Sequence, residues 1–188
     1  MGTIVGIDPG LAATGVGVVR GEGPRVTGYA FGCIRTPADA PAANRLHLIF
    51  SRLETLFAKE APDAVVVEDV YSLPEYPRSA ITLGQVTGVV MLAAARAGLP
   101  CLPIAVREAK LALTGNGGAS KAQLAEAVRA RLSHPGAIRP SHAADALGLA
   151  LIGLLRGPLA LRRMAMNPRR GPERADASRI PRGLFLGT

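Results

Sequence analysis

The sequence predicts an α/β fold, a mixed five-stranded sheet with helices against its faces. Two observations predict it. Three short strand-like segments open the chain with only turn residues between them. Two more apolar, β-branched segments follow, separated by stretches with a helical period. Strands in a run, then helix–strand–helix–strand–helices, imply one sheet covered by helices.

Thr3–Ile7 reads as the first strand, Thr14–Arg20 as the second and Val26–Cys33 as the third. The short 21-GEGP-24 connection makes the second and third a hairpin. Leu46, Ile49, Phe50, Leu53, Leu56 and Phe57 recur at three- and four-residue steps, which predicts a helix that Pro62 closes. Ala64–Glu68 (AVVVE) has the composition of a strand buried on both faces. Ser79–Ala97 predicts a helix stopped by Gly98; its Ala, Val and Gly permit close packing on a sheet or a partner chain. Leu99–Ile104 is the fifth strand, and Val106–Leu113 a short helix ending at Gly115. Ser120 opens the next helix with Gln123 in a capping-box arrangement, and Ser141 is expected to cap a last one reaching about Leu155.

With 188 residues, 48% of them apolar, the chain can bury a core. The net charge is +8, and Arg156–Thr188 carries most of it, with eight Arg against two acids. Rich in Pro and Gly and without an apolar period, residues 158–188 are expected to be a basic, flexible tail behind a domain of residues 1–157. The tail alone promises only weak affinity for polyanions. No apolar run is expected to reach the roughly 20 residues of a bilayer span, and the N-terminus lacks the basic start of a secretory signal. A cytoplasmic chain with no membrane partner is therefore expected. Cys33 and Cys101, among apolar neighbours, are expected to be buried free thiols.

The chemistry gathers on four residues. Asp8 closes a buried strand in 4-IVGIDPG-10, and Glu68 repeats the pattern in 65-VVVEDV-70. A carboxylate behind apolar strand residues is costly to desolvate unless a cation neutralises it. If the two strands are neighbours, the acids face each other, and Mg²⁺, which prefers oxygen ligands, is the natural counter-charge. The plain alternative for each acid is a helix cap or an ion-pair partner. In 141-SHAADALGLA-150, His142 and Asp145 are three apart and share a helix face. Asp145 could serve only the helix dipole, and His142 could be an ordinary surface residue. Together, three carboxylates and an imidazole on three elements form the kind of set that holds two ions about 3.5–4 Å apart for phosphodiester hydrolysis.

The segments GIDPGLAATGVGVV, GCIRTP, VVVEDVYSLPEYPRSAITLGQVTGV, AVREAKLALTGNGGASKAQL and HAADALGLA, in this order, resemble successive blocks of the RuvC family of crossover junction endodeoxyribonucleases, from Met1 to about Gly157. The resemblance implies an RNase-H-like fold and a homodimer that resolves four-way (Holliday) DNA junctions in recombination and repair by paired nicks. It implies metal binding by Asp8, Glu68, His142 and Asp145, with two Mg²⁺ per site and Mn²⁺ as a substitute. A metal-activated water would attack in line, leaving 5′-phosphate and 3′-hydroxyl ends. Lys121 falls on a lysine near the scissile phosphate and Lys110 on another of the DNA-binding face. Tyr71 falls on an aromatic that stacks on an unpaired base, and Arg78 is a candidate phosphate contact. The RuvA–RuvB branch-migration complex is a partner the family suggests.

Plain alternatives remain: solvated lysines, and a packed ring at Tyr71. The chain also departs from the family's pattern. His142 stands where many relatives carry Asp, Asp69 where most carry Gln, and the 72-SLPEYPRSA-80 loop is unusual. These departures bear on the preferred cutting sequence. A sugar-kinase or actin-type ATPase shares the strand–Asp–Gly–Thr signature, but needs a second such domain that 188 residues do not contain.

Overall fold

The computed structural model describes residues 1–69 and 77–166, with no account of the side chains of Pro77 and Arg78. Its five strands are β1 (Gly2–Asp8), β2 (Ala13–Glu22), β3 (Arg25–Arg35), β4 (Ala64–Glu68) and β5 (Cys101–Ile104). They lie in the order β3-β2-β1-β4-β5. The first three pair antiparallel; β1 with β4 and β4 with β5 pair parallel. Six helices follow among them: α1 (Ala42–Glu60), α2 (Pro77–Arg96), α3 (Val106–Thr114), α4 (Lys121–Arg131), α5 (Ser141–Arg156) and α6 (Pro158–Met166).

Alternation along the strands builds two cores. Val5, Ile7, Val65 and Val67 face Ile49, Leu53 and Phe57 of α1 and Val86 and Val90 of α2. Ile4, Ala64 and Val66 face the other way, onto Leu147, Ala150 and Leu154 of α5 and the apolar sides of α3 and α4. The central helix α5 is buried along nearly its whole length, as its Ala- and Leu-rich sequence requires.

It lies unusually close to the sheet because the strands beneath it carry no side chains there. A Cβ on Gly6 would stand 2.0 Å from the Ala146 carbonyl oxygen, and one on Gly17 would stand 2.6 Å from the Leu147 nitrogen. A Cβ on Gly15 would stand 2.1 Å from the His142 carbonyl oxygen. The glycines thus set the height of α5 and of the side chains at its N-terminus.

Several expectations need correction. Ser141 is the first residue of α5 rather than its cap; Pro140 holds the cap position, its carbonyl accepting from Ala143 N–H, and no side chain caps the helix. Ser120, by contrast, forms the full capping box with Gln123. The fifth strand starts at Cys101, not Leu99, because Leu99 N–H turns back to the Ala94 carbonyl and closes α2. Cys33 and Cys101 are free but half-buried, and burial pushes the Cys101 thiol up to about 12. The α2 stretch Ser79–Arg96 is long and apolar enough by length and composition to cross a membrane, against the expectation; it lies against the sheet with 22% of it buried.

The fold also runs past Gly157. There the chain bends by 95° into α6, and Leu161 inserts fully buried beside Gly153. Residues 158–166 are helix rather than tail, and residues 167–188 lie outside the described residues. Ending the chain after Gly157 should therefore lower Tm by at least roughly 5 °C, since losing a buried leucine costs about 2 kcal/mol or more. The chain ended after Met166 keeps α6 and should melt at least roughly 5 °C above the chain ended after Gly157. Equal melting of the two truncations would show that α6 contributes nothing.

Candidate active site

Because β1 and β4 are parallel neighbours, Asp8 and Glu68 stand side by side at their C-terminal ends. Ile4 and Gly6 precede Asp8 on the α5 face, and Ala64 and Val66 precede Glu68, so both acids turn toward α5. Asp8 is 6% exposed. The turn behind it is tightly made: a Cβ on Gly10 would meet the Ala13 carbonyl oxygen at 2.4 Å, and buried Thr14 donates its hydroxyl to the Gly10 carbonyl (2.8 Å).

The N-terminal turns of α5 bring the other two residues over these strand ends. His142 Nδ1–H donates to Asp8 Oδ2 at 2.6 Å. Asp145 meets Lys121 Nζ at 3.7 Å, from a lysine that is 82% exposed at the start of α4. Glu68, Lys110, Lys121 and Asp145 line a small cleft of about 110 Å³. The geometry thus joins Asp8, Glu68, His142, Asp145, Lys121 and Lys110. Tyr71 lies outside the described residues, and of Arg78 only the backbone, in α2, is described.

Crowding of the acids governs their charge. Burial raises Asp8, and the field of Asp145 adds to that, against the hydrogen bond from Glu68 and the Lys121 ammonium. Glu68 is pushed up to about 8, by burial first, then by the hydrogen bond and charge of Asp8, then by Asp145. Glu68 therefore holds the proton the pair shares and donates it to Asp8.

A carboxyl whose folded pKa is raised binds its proton more tightly folded than unfolded, so stability falls as pH rises between the two values. For Glu68 that window runs from 4.5 to about 8. In chelator, Tm should fall steadily across this range. Glu68→Gln should flatten the profile, as should millimolar Mg²⁺ in the wild type. A wild-type profile already flat in chelator would contradict the shared proton.

Among the described residues, no three His, Cys, Asp or Glu side chains surround one point as a finished ion cage. The acids are drawn instead onto each other, onto His142 and onto Lys121, which meet their charge by other means. Hard oxygen donors forced together until one keeps its proton are nonetheless the donor set that a hard divalent cation suits. The residues fit such an ion. Gly6, Gly15 and Gly17, which seat α5, were not singled out from the sequence. For Gly15 and Gly17 the available signal is their alternate spacing in 15-GVG-17.

Antiparallel β3-β2-β1 extended by parallel β4 and β5 is an RNase-H-like fold, and the class of protein it defines here is a nuclease. The sequence profile described as crossover junction endodeoxyribonuclease RuvC matches residues 4–153, and the chain belongs to that family. It is 42% identical over 170 residues to the RuvC of Parafrankia sp., covering 90% of this chain and 95% of that protein. It is 45% identical over 159 residues to the RuvC of Anaeromyxobacter dehalogenans, covering 84% and 83%. Among solved structures, Thermus thermophilus RuvC in complex with Holliday junction substrate superposes with a TM-score of 0.79 at 32% identity, over 86% of this chain and 98% of that one.

Proposed function

We propose that the chain resolves four-way DNA junctions as a divalent-metal-dependent homodimer, nicking two opposed strands and leaving 5′-phosphate and 3′-hydroxyl ends. The carrying observation is the convergence of Asp8, Glu68, His142 and Asp145 at the ends of β1 and β4, beneath the start of α5. Asp8, Glu68, Asp145 and His142 would hold two Mg²⁺, with Mn²⁺ able to substitute. When bound, such ions activate water and stabilise the leaving oxygen. His142 is placed to carry a proton beside Asp8, to which its Nδ1 is hydrogen-bonded. Lys121 and Lys110 set positive charge where a phosphate would lie against the acids. Tyr71 is assigned stacking on an unpaired base by family likeness, and Arg78 a phosphate contact as the basic residue of the unusual 72–80 loop.

A second copy of the chain is supported by α2, which exposes Ile81, Met91 and Leu92 along a helix rich in small residues. Action in the cytoplasm, in recombination and repair, and with the RuvA–RuvB complex rests on family membership. The deciding experiment offers a synthetic four-way junction and a matched linear duplex in Mg²⁺, Mn²⁺ or chelator. Paired metal-dependent nicks confined to the junction support the reading. Tight binding without cutting in any metal would leave a junction binder, and indifference to both DNAs would remove the reading.

A further inference from the structure

A second, larger cleft of about 690 Å³ opens on the other side of Asp145 from Lys110. Arg35, from the end of β3, and Arg139, just before α5, stand on its walls, and Lys121 and Asp145 line both clefts. Its apolar floor includes Ile138 and Ala144. Both arginines are exposed, and neither has a carboxylate partner among the described residues. Asp145, the one acid lining this cleft among the described residues, is already engaged by Lys121.

Both walls are firmly built. Arg35 pairs with Ala13 across the sheet, and the next residue, Thr36, donates its hydroxyl to the Leu11 carbonyl (2.6 Å) and accepts from Arg45 Nε (2.8 Å). The opposite wall, residues 134–140, is tied down at His134. There Nδ1 meets Tyr29 OH at 2.8 Å, the ring packs edge-on against Tyr29 and Phe31, and the carbonyl accepts from Arg129. Tyr29, Phe31 and Arg35 share one face of β3; His134 packs on the first two, and Arg139, five residues on, lines the same cleft as Arg35. Two unpaired guanidiniums on facing walls of a concavity concentrate positive potential over it.

We propose that this cleft seats the strand being cut, with Arg35 and Arg139 gripping backbone phosphates adjoining the scissile one. The strand would then pass from Lys110, over Lys121 and Asp145, to the two arginines. This rests on the nuclease reading above and adds contacts that reading does not include. Guanidinium suits the task because its planar fork holds phosphate with two parallel hydrogen bonds.

The test is junction binding by the full chain in chelator across a salt series. Each phosphate contact removed should reduce the slope of log K against log salt by about one. Arg35→Ala with Arg139→Ala should therefore flatten the slope by about two per protomer and weaken low-salt binding at least about tenfold, at unchanged Tm. Arg35→Lys with Arg139→Lys should restore most of the slope, since the charge remains. An unchanged slope in the alanine pair, while wild type still cuts the junction, would overturn the arginine seat and leave the nuclease reading intact. Wild type that neither binds nor cuts would overturn both.

Discussion

Asp8→Asn is expected to cut a four-way junction at least about 10³-fold more slowly than wild type while still binding it. Loss of one preorganised charged group at a reacting centre commonly has an effect of this size. Asp8 is the group that every other member of the cluster senses. It accepts from His142, shares a proton with Glu68 and lies in the field of Asp145 and Lys121. An amide at this position keeps the shape but loses the charge, so on the proposed reading only two of the three carboxylates would remain to hold divalent ions. The same substitution should leave the metal-free protein at pH 8 as stable as wild type or more so, because it removes a buried carboxyl that burial already disfavours. The two readouts separate a chemical role from a structural one. Slow cutting at full stability supports the assignment; cutting within tenfold of wild type would remove Asp8 from the metal site.

How much of this was legible in the sequence follows from the range of the forces involved. Strand and helix identities were readable because their period is local: AVVVE and the Leu46–Phe57 stripe coincide with β4 and α1. The acids were readable as a pair because each ends an apolar strand, and the pairing of β1 with β4 then put them side by side. Less legible was whatever depends on contacts between distant segments. Nothing local distinguishes Leu161 from an apolar residue in a tail; it is buried because α5 ends in a 95° bend that returns the chain to the core. Nor does Arg139 stand out among 22 basic residues until the bond between His134 and Tyr29, 105 positions apart, ties its segment to β3. The Pro140 cap was missed for a different reason. Ser141 satisfies the usual preference, but with Pro140 in the cap position the first α5 contact is made by a backbone carbonyl and needs no hydroxyl.

Gly15→Ala carries the second large effect, and it tests whether the height of α5 matters to the chemistry. Gly15 pairs directly with Asp8 across β1 and β2, and its missing side chain leaves room for the His142 backbone. A methyl there would stand 2.1 Å from the His142 carbonyl oxygen and 2.5 Å from its carbon, far inside contact distance. Backbone cannot swing aside as a long side chain can, so the first turn of α5 must lift. Overpacking of this kind costs about 1–3 kcal/mol. The loss of activity should be larger than the loss of stability suggests. Lifting the turn moves His142 and Asp145 away from Asp8 and Glu68, and a shift of roughly 1 Å at a catalytic group can lower a rate about 10²-fold. Gly28→Ala in β3 is the matched control, since a Cβ there meets nothing within 4 Å. The expected pattern is a folded Gly15→Ala protein, several degrees less stable and about a hundredfold slower on a junction, beside a Gly28→Ala protein that cuts normally. Equal activity in the two would mean that the glycines serve packing alone and that the acids tolerate a displaced helix.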